Sequence, residues 1–191
     1  SGSQEILDRI CKGIRLEESE RAVKLTHEAG LRAKGFFMIG HPGETVDTIR
    51  KTIDFARRLP LSDYQTCFFT PFPGTEASRQ VAGAGTATGD WRDMNLLRPS
   101  FVPAGLSAAQ LEYWAARSYA EFYLRPLIVW RYVSDIRRPE HLLAMIRGAR
   151  ALLHSLILAP SRMRAAKRRK MNAPLSEPER HGLSQGLKWP R

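Results

Sequence analysis

The sequence predicts an α/β fold: a parallel sheet covered by helices comes first, and an all-helical region follows. Three observations carry this. Two short apolar runs, 33–39 and 64–69, each close on a Pro- and Gly-bearing turn, and a segment of helical periodicity lies between them. Strand, turn, helix and strand at that spacing make a βαβ unit, which requires parallel strands and covering helices. From Ser107 onward the apolar pattern has helical period only.

Taken in order, Ile6, Leu7 and Ile10 form a short helical stripe that ends near Gly13, and a second helix is expected from Leu16 to Ala29. Gly30 stops it by adopting the left-handed conformation, with Leu31 expected to pack back. Residues 33–39, Ala-Lys-Gly-Phe-Phe-Met-Ile, read as a buried strand ended by the turn Gly40-His41-Pro42-Gly43-Glu44. Thr45 should cap the next helix, whose apolar residues Val46, Ile49, Ile53 and Ala56 share one face. The strand at 64–69 is closed by Thr70-Pro71-Phe72-Pro73-Gly74-Thr75. Residues 83–89 read as a flexible loop of small residues within a linker spanning 83–106. Ser107 with Gln110 signals a capping box that opens a helix to about Leu124. Pro126 and Pro139 suit the first turns of two further helices, the last running to about Leu158. The helix at 16–29 extends the alternation backwards, so a strand is expected before it.

The net charge of +11 over 191 residues is unevenly placed. Residues 161–191 hold nine Lys or Arg against two Glu, and the rest of the chain is only mildly basic. That segment has little apolar periodicity and reads as a disordered basic tail covering 160–191. Two cysteines, Cys11 and Cys67, lie too far apart for a disulfide framework or a metal-binding spacing, which points to a reducing, cytoplasmic setting. Both read as small core residues. No run of about 18 apolar residues suggests a membrane-spanning helix.

Three segments together carry a family resemblance: Ser1-Gly2-Ser3-Gln4-Glu5-Ile6-Leu7, Gly35 through Thr45, and Thr70 through Thr75. In this order and spacing they resemble the second half of the radical S-adenosylmethionine (radical SAM) barrel. The likeness is greatest to the subgroup with a cobalamin-binding domain, which includes anaerobic magnesium-protoporphyrin ester cyclases and hopanoid methylases. It implies that residues 1–82 form the C-terminal half of a partial (β/α)6, TIM-like barrel, with a helical extension at 107–159. It also implies one-electron cleavage of S-adenosylmethionine at a 4Fe-4S cluster, giving a 5′-deoxyadenosyl radical used to methylate or cyclise a small, hydrophobic substrate. Cobalamin is a candidate second cofactor, through a domain outside this chain. The cluster would be held by a C-x-x-x-C-x-x-C loop, which this sequence lacks. The expectation is therefore a fragment of a longer enzyme, inactive alone and in need of an N-terminal half, with no metal ligands of its own and no assignable catalytic residue. By the same resemblance Ser1 and Ser3 would lie near the ribose or aminocarboxylate of S-adenosylmethionine. Ile39, Gly40, Phe72 and Pro73 would lie near the adenine, with Pro42, Gly43 and Glu44 completing the turn at the site.

A second enzyme reading is a methylthiotransferase of RNA or ribosomal protein, a subgroup that shares the Ser-Gly-Ser and Pro-Gly-Glu-Thr segments. The helical pattern after Gly74-Thr75 counts against it, because that subgroup continues into a small β-rich domain. A basic nucleic-acid-binding module using residues 162–170 is a third, weakened because no aromatic residues interleave the basic run. His41 reads as a solvated turn residue, and Trp114, Tyr119, Phe122 and Tyr123 as helix core. In the last helix Arg147, Arg150 and His154 lie opposite Leu143, Ile146, Leu153 and Ile157. That arrangement gives either a solvated face or a peripheral contact with an anionic membrane.

Overall fold

The structure is a computed structural model that describes residues 1–88 and 94–134, together with residues 146–148, 150 and 153. It is a mixed α/β assembly. Helices α1 (Gln4–Arg9) and α2 (Leu16–Glu28) precede strand β1 (Lys34–Ile39), helix α3 (Val46–Arg58) and strand β2 (Asp63–Phe68). Helix α4 (Glu76–Gln80) follows, then strands β3 (Gly85–Ala87) and β4 (Phe101–Pro103), and helices α5 (Ala108–Tyr123) and α6 (Pro126–Ser134).

The expected βαβ unit forms. β1 and β2 pair in parallel from Lys34 opposite Asp63 to Ile39 opposite Phe68. Bonds from Ser62 N–H to Ala33 C=O (2.8 Å) and Phe69 N–H to Ile39 C=O (2.8 Å) extend the ladder at both ends. Thr45 caps α3 by accepting the Thr48 N–H at 3.3 Å, and Ser107 caps α5 by accepting the Gln110 N–H at 3.2 Å. Gly30, at φ +74°, ends α2, with the Leu31 N–H bonded back to Thr26 C=O at 3.1 Å. Leu31 itself is 63% exposed and does not pack back.

Among the described residues, both strands are fully buried on one face only. Phe37 and Ile39 from β1, with Tyr64, Thr66 and Phe68 from β2, are buried beneath α3 and α5. Their cores include Ile49, Ile53 and Phe55 from α3 and Leu111, Trp114 and Phe122 from α5. Each such side chain contributes about 1.5–3 kcal/mol when fully buried. Alternation places Phe36, Met38, Gln65 and Cys67 on the other face, where Phe36 is 70% exposed. Met38, Gln65 and Cys67 there are half-buried, so the fully buried strands expected from the apolar runs are only partly covered on that face.

The outer edge of β2 is closed by side chains. The Tyr123 hydroxyl lies within bonding distance of Tyr64 C=O (2.9 Å) and Tyr64 N–H (3.3 Å). One helical turn earlier, the Tyr119 hydroxyl donates to Thr66 C=O (3.0 Å) and accepts the Thr66 N–H (3.1 Å). Phe68 N–H finds Leu96 C=O at 2.9 Å. Tyr119 and Tyr123, four residues apart on α5, thus stand where a further strand would pair.

The small-residue segment at 83–89 differs from its reading as a loop, because Gly85–Ala87 pairs antiparallel with Phe101–Pro103. Glycine is required at 85: a Cβ there would stand 2.1 Å from Val102 C=O. The helix expected at 139–158 lies largely outside the described residues, as do the basic tail and His154. No helix among the described residues is long and apolar enough to cross a membrane.

Candidate functional site

The ligand-binding end of a parallel α/β unit is the carboxyl end of its strands. At the end of β1 the chain turns through Gly40–Glu44, with positive φ at Gly40 (+89°) and Gly43 (+75°). Glu44 is fully buried and folds back over the turn. Its Oε2 accepts the Gly40 N–H and, at 3.0 Å, the His41 N–H. These two amides would otherwise point unpaired from the strand end. Its Oε1 has no partner among the described residues, nor has His41 Nδ1, and both are buried. Burial pushes the Glu44 carboxyl up from 4.5 to about 7, offset in part by the bonds from His41 and Gly40. Burial also drives His41 down from 6.5 to about 4, so its ring is neutral at pH 7. His41 packs on Phe69, ring centroids 5.1 Å apart. It is thus 4% exposed rather than solvated as expected.

Ser1-Gly2-Ser3 runs beside α3. The Gly2 N–H donates to Thr52 Oγ1 at 2.9 Å, and the Ser1 and Thr52 hydroxyls lie 3.3 Å apart. The Ser3 N–H bonds back to Ser1 Oγ at 3.1 Å. A Cβ on Gly2 would stand 2.6 Å from Thr52 Cα and 2.7 Å from Phe55 Cβ, so only glycine lets this segment approach the helix so closely. Thr52 itself was not legible as a site residue: a threonine inside an amphipathic helix gives no signal until Gly2 is seen against it.

The residues expected at the site fall into different environments. Gly40 and Glu44 are joined by the clamp, with Pro42 and Gly43 half-buried between them. The Ile39 side chain is 2% exposed in the core with Ile49 and Leu111, so only its backbone is presented at the strand end. A Cβ on Gly43 would meet the Arg9 side chain, 2.0 Å from Nη1. Phe72 is 46% exposed and Pro73 is exposed, both on the loop leaving β2, where Thr75 Oγ1 donates to Phe72 C=O at 2.6 Å.

The residues present do not fit an iron-sulfur cluster. Cys11 is exposed, contrary to its reading as a core residue, at the start of the turn after α1. Cys67 donates its thiol proton to Phe37 C=O at 3.3 Å, and burial raises its pKa, which disfavours the thiolate that a cluster needs. No group of three His, Cys, Asp or Glu suited to a metal ion occurs among the described residues. S-adenosylmethionine fits better. A glycine-bearing turn fixed by a buried carboxylate at a strand end, together with the Ser1 hydroxyl, offers small residues and a polar group suited to a nucleoside.

Comparison with known proteins gives a consistent picture. Residues 1–56 match the Radical SAM superfamily. The chain is 34% identical over 154 residues to an uncharacterized methyltransferase of Pyrococcus horikoshii, covering 80% of this chain and 33% of that protein. It is 21% identical over 143 residues to the anaerobic magnesium-protoporphyrin IX monomethyl ester cyclase of Rubrivivax gelatinosus, covering 74% and 26%. A protein of Methanocaldococcus jannaschii named as a methylthiotransferase is 34% identical over 147 residues, covering 72% and 31%. The chain spans a third or less of the length of these relatives.

Proposed function

This chain belongs to the radical SAM superfamily, matched over residues 1–56, and from that premise we propose that it forms part of the S-adenosylmethionine site of an enzyme that methylates or cyclises a hydrophobic small molecule. The observation that carries the reading is the Glu44 clamp: a fully buried carboxylate gathering the Gly40 and His41 amides at the carboxyl end of β1. In this reading the chain supplies the later strands of a (β/α)6 barrel, the cluster cysteines come from polypeptide beyond the described residues, and cobalamin is a further cofactor of the whole enzyme. S-adenosylmethionine, when bound, supplies a sulfonium that can yield a methyl group or be cleaved by one electron.

The residues of this chain bind and orient. Glu44 fixes the turn at the end of β1, and Gly40, at φ +89°, gives the backbone the left-handed conformation that the turn needs. Ser1 presents a hydroxyl matched to ribose or carboxylate oxygens, while the buried Thr52 hydroxyl, bonded to the Gly2 N–H and to Thr48 C=O, holds this segment against α3. Neutral His41, against Phe69, keeps positive charge away from the sulfonium.

The methylthiotransferase reading draws on the Methanocaldococcus relative. Against it stand helices α5 and α6, although the short β3–β4 pair departs from the wholly helical pattern expected after Thr75. Equilibrium dialysis of the full chain with S-adenosylmethionine tests the proposal. Saturable binding is expected, weakened about tenfold or more by Glu44→Ala, which releases both amides. Binding should survive Ser107→Ala, which only uncaps α5. No saturable binding, or binding indifferent to Glu44, would refute it.

A further inference from the structure

Helix α6, Pro-Leu-Ile-Val-Trp-Arg-Tyr-Val-Ser, is apolar but for Arg131 and Ser134, yet it buries only one residue. Ile128 points inward at 2% exposure. On the opposite side Leu127 is 77% exposed, Trp130 70% and Val133 47%. Spaced three residues apart, these form one outward ridge, and Leu124, 67% exposed, lies in the turn that leads into it. A helix whose outer face meets only water carries polar residues there, and a contiguous apolar ridge is a contact surface.

We propose that the α6 ridge docks on an anionic lipid bilayer. The surrounding charge selects this occupant. Arg131 lies within the helix, and Arg147 and Arg150 are exposed beyond it. Residues 135–170 hold ten Lys or Arg against two acidic residues. Basic residues near an anionic surface contribute attraction, and tryptophan sits well where apolar chains meet headgroups, with its ring buried and its N–H wet. A second copy is a poorer partner, since it would bring a net charge of +11 against +11. Two further apolar side chains of the chain, Ile146 and Leu153, are likewise 47% and 58% exposed. A polyanion such as RNA would use the basic residues but leave Leu127 and Val133 without a partner.

Sedimentation of the full chain with vesicles of phosphatidylcholine, alone or with phosphatidylserine, tests the proposal. The unaltered chain should bind the anionic vesicles and not the neutral ones. Leu127→Ser with Trp130→Ser should raise the lipid needed for half-binding about tenfold or more, because both anchors are lost while every basic residue remains. Both positions are exposed, so the denaturation midpoint should be unchanged. Failure of the unaltered chain to bind anionic vesicles would overturn the proposal. Equal binding by the variant would overturn it too, assigning the contact to basic residues alone. A dimer in lipid-free solution that the variant dissolves would instead make the ridge a contact between copies.

Discussion

Glu44 and His41 belong to one turn and titrate in opposite senses, so their effects on stability cancel until one is removed. Burial raises Glu44 from 4.5 to about 7, so the folded chain holds this proton more tightly than the unfolded chain. The stabilisation is fully present below 4.5 and is lost as pH rises through about 7. At about 1.36 kcal/mol for each pH unit between those values it amounts to about 3 kcal/mol. Burial lowers His41 from 6.5 to about 4, so the folded chain resists protonation. Its contribution is present above 6.5 and is lost as pH falls through about 4, again about 3 kcal/mol. Between about pH 4.5 and 6.5 the two slopes are equal in size and opposite in sign. His41→Leu leaves Glu44 alone, and stability should then fall by about 3 kcal/mol from pH 4.5 to 7. Glu44→Gln leaves His41 alone, and stability should rise by about 3 kcal/mol from pH 4 to 6.5. Urea denaturation followed by circular dichroism across this range reads both slopes. Contributions from other groups are common to all three proteins and cancel in the differences. If both variants track the unaltered chain to within about 0.5 kcal/mol at every pH, the reasoning from burial is wrong.

Two further outcomes follow from the packing. Gly2→Ala should destabilise by about 1–3 kcal/mol in urea denaturation, since its Cβ would stand 2.6 Å from Thr52 Cα. Gln4→Ala, which alters the same segment without adding atoms against α3, should cost less. Tyr119→Phe with Tyr123→Phe strips hydroxyl partners from Tyr64 and Thr66. The double variant should lose about 2–4 kcal/mol and aggregate faster in light-scattering measurements, because the β2 edge then becomes available for pairing.

The backbone plan was legible because its signals are local. Thr45 and Ser107 carry cap chemistry, and Gly30, Gly40 and Gly43 mark positive φ. The apolar runs at 33–39 and 64–69 located both strands to within one residue at each end. What was not legible depends on which face is covered. Phe36 and Phe37 are adjacent and chemically identical, yet one is 70% exposed and the other 6%. Only the pleat and the position of α3 and α5 separate them. The β3–β4 pairing escaped notice because Gly-Thr-Ala and Phe-Val-Pro are too short to show alternation. In the turn after β1, the burial of His41 was not legible, because its ring packs on Phe69 some 28 residues away. Sequence spacing carries no trace of that contact.

The parallel sheet is asymmetric, and the asymmetry bears on the site. On the outer edge of β2, Tyr123 holds residue 64, Tyr119 holds residue 66 and the Leu96 carbonyl holds residue 68. Three successive outward-facing positions are thereby satisfied, and no strand can add there without displacing α5. On β1, among the described residues, only the edge facing β2 is paired. Addition of a strand is therefore directed to β1, the strand whose carboxyl end carries the Glu44 clamp. A strand placed there would bring its own end beside Gly40 and His41, and would border the partly covered face formed by Phe36, Met38, Gln65 and Cys67. The Glu44 clamp thus lies on the strand whose far edge is unpaired among the described residues, while α5 closes the other side of the sheet. This is the arrangement expected when one set of strands orients a ligand and another supplies the chemistry that acts on it.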